Sequence, residues 1–250
     1  VNDFSPEQLQ NLICIVNLYR GNTKKFATTV KGYLETVSAL AKETAKETMG
    51  LQKQLQKVYE MIYDFAAKYN EENMTAKSFR DALKEIETIS IYEQQNILIE
   101  AVNLVISRGK TESTTLENIA HLCKAIRKPQ DKLVKQLFDT IATATKEYQL
   151  NKNKDWKELN LKEQLDQLRA LQLQLSGNPN EDEPGLLHDT EYFWKQAHWL
   201  QSRFPEGVYS DVEGLCKVVT QKEIEAKDWS LSPGRYVGVD TDSDDDFDYE

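Results

Sequence analysis

The chain is 250 residues long, with 40% hydrophobic and 9% aromatic content, enough for one large domain or two small ones around a buried core. It shows no run of about 18 apolar residues and no charged-then-apolar leader, and its three cysteines, Cys14, Cys123 and Cys216, are widely separated. These features predict neither export nor membrane insertion, and reduced thiols in a cytoplasm rather than a disulfide framework. The net charge of −10 is uneven: Asp240, Asp242, Asp244, Asp245, Asp246, Asp248 and Glu250 supply seven negative charges, leaving −3 over residues 1–239. Such a body has no strong global field toward nucleic acid, so any DNA contact must come from a local patch or from another part of an assembly.

Helix signals dominate to about residue 175. Ser5 before Pro6, with Gln8 three residues on, is a capping-box pattern leading into Leu9, Leu12, Ile13, Val16 and Tyr19, and Gly21 with Asn22 ends that helix. Phe26, Val30, Tyr33, Val37, Leu40, Thr44, Leu51, Leu55, Val58, Ile62, Phe65 and Tyr69 follow, spaced mostly by fours and threes. They predict one long helix, or two hinged near Gly50, with a kink or local rewinding where the step from Leu51 to Leu55 shifts the stripe. A shorter helix after Thr75 carries Phe79, Leu83 and Ile86. The next is capped by Ser90 with Glu93, carries Leu98, Val102 and Val105, and closes at Gly109. Thr114 with Glu117 opens a helix through Ile126, and Pro129 restarts the chain into Leu133, Leu137, Ile141 and Tyr148. Asp155 with Glu158 caps a leucine-rich helix bearing Leu161, Leu165, Leu168 and Leu175.

Two-residue alternation is scarce, so the expected fold class is all-α: a multi-helix antiparallel array with a long helical hairpin over residues 1–175, followed by an irregular C-terminal segment. Residues 176–187 gather Gly177, Pro179, Pro184 and Gly185 among Asn and acidic residues, a linker signal. Residues 176–239 then hold a Trp- and His-bearing helix from about Asp189 to Ser202, an irregular stretch from Arg203 to Val219, a short helix capped by Thr220 with Glu223, and a Pro-Gly turn. Residues 240–250 are an acidic tail whose composition predicts disorder.

No active-site pattern is visible: there is no glycine-rich nucleotide loop, no nucleophile elbow and no kinase signature. His121 and Cys123, two apart on a helix, point about 200° apart and cannot easily share a metal. His188 and His198 lie among Tyr192, Phe193, Trp194 and Trp199 without a ligand-spaced partner and read as packing or surface groups. Asp242, Asp244 and Asp246 imitate the start of a calcium loop, but Phe247 stands where the turn glycine belongs. Two interaction candidates remain. Lys124, Arg127, Lys128, Lys132 and Lys135 cluster around Pro129, spaced so that several share one face suited to phosphates, against the plainer alternative of a solvated helix face. Near the end, Pro233 fixes its φ and Gly234 accepts a positive one, a tight turn that presents Arg235 and Tyr236 on a short extended segment reaching Val239. Tyr236 is expected to pack under this turn and Arg235 to meet a carboxylate or phosphate.

Four segments together resemble the part of the modification (methyltransferase) subunit of type I restriction-modification systems that lies C-terminal to its catalytic domain. They are Glu7-Gln8-Leu9 with Ile15, Val16 and Leu18-Tyr19-Arg20-Gly21; Trp199-Leu200-Gln201-Ser202-Arg203-Phe204-Pro205 with Tyr209; Gly214-Leu215-Cys216-Lys217 through Ile224; and Leu231-Ser232-Pro233-Gly234-Arg235-Tyr236-Val237. Members of that family commonly carry Asn-Pro where this chain has Ser232-Pro233. Residues 35–185 carry no motif of the family and are expected to be a variable insertion.

The resemblance implies a parent that transfers a methyl group from S-adenosylmethionine to the exocyclic amine of a flipped adenine in DNA. That chemistry needs an Asn-Pro-Pro-aromatic loop and a doubly wound cofactor fold. Neither is in this sequence, so no catalytic, cofactor-binding or metal residue is carried over. The implied role is a non-catalytic C-terminal portion that serves subunit assembly and the embrace of DNA, beside a specificity subunit and a motor-nuclease restriction subunit, in the cytoplasm. The alternative is a self-contained helical scaffold or adaptor built on the long hairpin, unrelated to methylation.

Overall fold

Two long amphipathic helices set the architecture of the protein, seen in a computed structural model that describes residues 4–68, 74–87, 91–108, 113–178, 180–181 and 183–238. The fold is all-α. In chain order the helices are α1 (Pro6–Tyr19), α2 (Thr23–Ala67), α3 (Met74–Glu87), α4 (Ile91–Arg108), α5 (Ser113–Glu147), α6 (Lys154–Glu158), α7 (Leu161–Ser176), α8 (Leu186–Arg203) and α9 (Gln221–Glu225). Among the described residues the sheet is limited to a two-residue antiparallel ladder, β1 (Gly177–Asn178) with β2 (Glu183–Pro184). The chain forms two compact units, Gly32–Lys195 and Val1–Lys31 with Gln196–Glu250, dividing inside α2 and α8. Tyr69, Ser90, Gly109, Pro179, Val239 and the acidic tail with its calcium-like aspartates lie outside the described residues.

In the larger unit α2 is a spine. It stays helical through Gly50, and its buried stripe keeps its register where the large apolar residues thin out. Val37, Ala41, Thr44, Thr48 and Leu51 are all buried in steps of four and three, so small residues bridge the gap that predicts a hinge. Helices α7 and α8 run antiparallel to α2, one after the other. Gln54 donates from Nε2 to the Gln164 carbonyl at 2.9 Å, Gly50 faces Leu171, the Thr44 and Thr190 hydroxyls meet at 3.2 Å, and the Tyr33 and Phe193 rings lie 6.2 Å apart.

The joint between α7 and α8 is the stretch that reads as a linker, and it is a closed hairpin. Gly177, at φ +91°, caps α7, and Gly177 and Gly185 lie back to back. A Cβ on Gly185 would stand 2.3 Å from the Gly177 nitrogen, and one on Gly177 would stand 2.4 Å from the Glu183 carbonyl oxygen. Both positions therefore require glycine.

Helix α5 continues through Pro129 instead of restarting there. A proline inside a helix costs about 3 kcal/mol, whereas each fully buried Leu or Ile stabilises by about 1.5–3 kcal/mol. Ile126, Leu133, Val134 and Leu137 are all buried on one stripe across Pro129, so burial outweighs the lost hydrogen bond. Helices α4 and α5 pack along each other, pinned by a buried bond from Gln95 Nε2 to Gln130 Oε1 at 2.8 Å. At the far end Trp156 is buried against Phe65, with ring centroids 4.8 Å apart. The helix expected from Asp155 to Leu175 is two helices. Asn153 caps α6 by accepting from the Trp156 N–H, and Asn160 breaks the chain in the left-handed region at φ 47°, which Asn tolerates better than most residues.

The smaller unit contains α1, the start of α2, the end of α8 and the C-terminal segment. The capping box at Ser5 and Gln8 has both of its hydrogen bonds, and Gly21 at φ +77° closes the C-terminus with bonds from its own N–H to Leu18 and from the Asn22 N–H to Asn17. Asn11, Cys14, Ile15 and Leu18 are the buried face, and Asn11 donates to Gln196 Oε1 at 2.8 Å. Phe26 meets Phe204 edge to face at 6.4 Å, and Tyr19 meets Tyr209 at 5.5 Å. The Gly214 N–H donates to the Val237 carbonyl at 2.8 Å and ties the C-terminal segment to the loop around the Val212–Cys216 bridge.

Candidate functional site

The Pro-Gly segment forms a strapped loop. Pro233–Arg235 is a single 3₁₀ turn, and Gly234 does not use the positive φ expected of it; the left-handed residues are Asp228 at 54° and Trp229 at 57°, on the other side of the loop. Arg235 is exposed, and its Nη1 donates to the Lys227 carbonyl at 3.2 Å, while the carboxylate or phosphate contact expected of it is not among its contacts within the chain. Lys227 Nζ donates in return to the Arg235 carbonyl and lies 4.7 Å from the centre of the Tyr236 ring. Tyr236 is half-buried and donates from its hydroxyl to the Ser230 carbonyl, which closes the loop. It does pack under the turn, but it sits in a helical φ/ψ region and not on an extended segment. The loop displays Trp229, 60% exposed, and Leu231, 77% exposed.

On α5 the structure brings the basic residues together. Lys124, Lys128, Lys132 and Lys135 are exposed, Arg127 is half-buried, and all five lie on one side of the continuous helix. Lys124 Nζ reaches the nearly buried Glu191 at 3.9 Å, while Lys195 holds the same oxygen at 3.0 Å. Asp131, within the patch, accepts from Gln172 Nε2 at 2.9 Å, and Gln172 Oε1 in turn accepts from Arg169 Nη1 at 3.1 Å. Helix α7 thus adds a sixth cation, Arg169, which lies too far away in sequence for spacing on α5 to reveal it.

The histidines and cysteines do not converge. His121 is exposed, 5.4 Å from the Trp194 ring, and Cys123 is fully buried, with burial the main cause of a thiol pKa pushed up to about 12 and the nearby Glu191 adding to it. His188 stacks on Tyr192 at 5.9 Å. Among the described residues no group of three or more His, Cys, Asp and Glu is placed to hold a metal ion, and no helix is long and apolar enough to cross a membrane. Burial also raises the pKa of Tyr209, with Cys216 and then Asp211 adding to the effect.

A third surface lies on α1. Leu9, Leu12, Ile13, Val16 and Tyr19, the stripe by which the sequence announces this helix, are 38–60% exposed and point away from the buried Asn11, Cys14, Ile15 and Leu18. The signal is legible in retrospect: from Gln8 to Tyr19 there is no charged residue, so α1 is apolar on two faces and only one can be satisfied within the unit. No protein-family model, curated protein or solved structure matches the chain.

Proposed function

We propose that the chain is the non-catalytic C-terminal portion of a type I restriction-modification adenine-N6 methyltransferase subunit, acting in subunit assembly and in holding DNA. The observation that carries this reading is the outward face of α1. Five large apolar side chains at helical spacing, on a helix without a charge between Gln8 and Tyr19, form a surface whose exposure is costly until a second protein surface covers it. The order of the four resembling segments supports the choice of family, and the strapped loop adds exposed Trp229 and Arg235, residue types enriched where binding energy concentrates. The expected partners are the specificity subunit and, for cleavage, the motor-nuclease subunit, in the cytoplasm. S-adenosylmethionine chemistry belongs to the parent's catalytic domain.

The test is co-expression of this chain with a type I specificity subunit from the same genome, with capture on a tag placed on either partner. Mutual capture is the expected result, together with no heat on titrating S-adenosylmethionine into the chain alone; tight cofactor binding or failure of capture overturns the proposal. A stand-alone helical scaffold is favoured by one observation, the self-contained core of Gly32–Lys195, and it predicts that failure of capture.

A further inference from the structure

We infer that the α5 face completed by Arg169 is a binding surface for the phosphate backbone of double-stranded DNA, a direct contact that rests on the DNA-holding reading above. Three observations converge. Arg127, Lys128, Lys132 and Lys135 have no carboxylate within ion-pair distance among the described residues. Of the acidic groups on or beside the face, Asp131 is engaged by the Gln172 amide, which itself holds Arg169 beside it, Glu191 is drawn toward Lys195, and exposed Asp139 lies at the end of the face, one turn beyond Lys135. The chain as a whole carries 41 acidic against 31 basic residues, so a face whose cations are not neutralised from within stands apart from its surroundings.

Geometry and residue type select the ligand. From Lys124 to Lys135 the helix rises about 16 Å, the length of roughly five base-pair steps, so the face spans several successive phosphates. The cations are mostly lysines, point charges suited to phosphate oxygens, and the segment Lys124–Lys135 contains no Phe, Tyr or Trp on which unpaired bases could stack. The contact is therefore to duplex backbone and independent of sequence, which leaves recognition to another subunit.

The experiment is fluorescence anisotropy of a labelled 30-base-pair duplex with the 250-residue chain between 50 and 200 mM salt, compared with Lys128→Gln/Lys132→Gln/Lys135→Gln. Helicity by circular dichroism confirms that this surface variant remains folded. Loss of three phosphate contacts flattens the slope of log K against log salt by about 2.7 and weakens binding at 50 mM salt at least about tenfold. Unchanged slope and affinity in the variant, absence of duplex binding by the native chain at 50 mM salt, or equal competition by single-stranded RNA or polyglutamate would overturn the inference. Because no partner subunit is present, failure here leaves the capture of the specificity subunit untouched, and failure of that capture leaves this measurement intact.

Discussion

Cys123, on α5, has zero exposed surface and faces Thr190, its thiol held protonated by burial, whereas Cys216 is half-buried in a loop. Since the thiolate is the reacting form, iodoacetamide at pH 8 is expected to modify Cys216 first and to leave Cys14 and Cys123 intact until urea is added; native-state labelling of Cys123 would contradict the packing described. Gly185 faces the Gly177 backbone with no room for a Cβ, so Gly185→Ala should destabilise the protein by more than about 3 kcal/mol in urea unfolding. At Glu223 the carboxylate accepts the Thr220 N–H and lies near Lys217, and the backbone bond is the main reason its pKa falls below 4.5. A depressed carboxylate stabilises above its unfolded pKa and loses that contribution as pH falls through the folded value. The protection of the α9 amides, relative to their intrinsic exchange rates, should therefore fall below about pH 4.5 in the native chain and be insensitive to that range in Glu223→Gln. Some of this residue-level detail is legible beforehand. The capping boxes at Ser5–Gln8 and Thr220–Glu223 are, because their partners lie three residues apart, whereas Thr114–Glu117 and Asp155–Glu158, of the same spacing, lie inside helices that Ser113 and Lys154 already open. The partner of Arg235 is not, since a guanidinium can donate to a carboxylate, a phosphate or a carbonyl, and sequence alone does not say which lies within reach.

At the scale of elements, the two sequence signals that suggest breaks, Gly50 and Pro129, both lie inside continuous helices. Gly50 and Gly32 have no conformational need for glycine: a Cβ at Gly50 would make an ordinary 3.5 Å contact with Leu171, and one at Gly32 would meet nothing within 4 Å. Gly32→Ala/Gly50→Ala should raise stability by about 1–2 kcal/mol through helix propensity, and Pro129→Ala, at an exposed site, by on the order of 2 kcal/mol. A loss of stability in either variant would show that the local backbone is doing something the packing does not require. The lesson is about which signal carries more energy. Breaker residues act once, while a buried stripe repeats every three or four residues, and the stripe of α2 is faint in the sequence between Thr44 and Leu51 because Ala and Thr fill it. Where the competing signals agreed, as at Gly21 and Thr220, boundaries were readable from sequence.

For the molecule as a whole, the all-α class followed from the scarcity of alternating residues, but its division into units did not. Gly177, Pro179, Pro184 and Gly185 have the composition of a linker, and what makes a tight joint there is the approach of the Gly177 and Gly185 backbones, eight residues apart, which composition does not encode. The surfaces offered to partners were legible in part. Basic spacing marked α5, but Arg169 joins that face only through the packing of α7. The α1 stripe was visible as periodicity, and only the fold shows that it points outward. The proposed function makes α1 an assembly face of a methyltransferase subunit. Its most direct test is the mass, by light scattering after size exclusion, of this chain mixed with the type I specificity subunit, for the native sequence and for Leu12→Glu/Val16→Glu. The expected result is one joint species for the native chain and two separate species for the variant, with helicity unchanged. Separate elution of the native chain, or equal association of the variant, would contradict it.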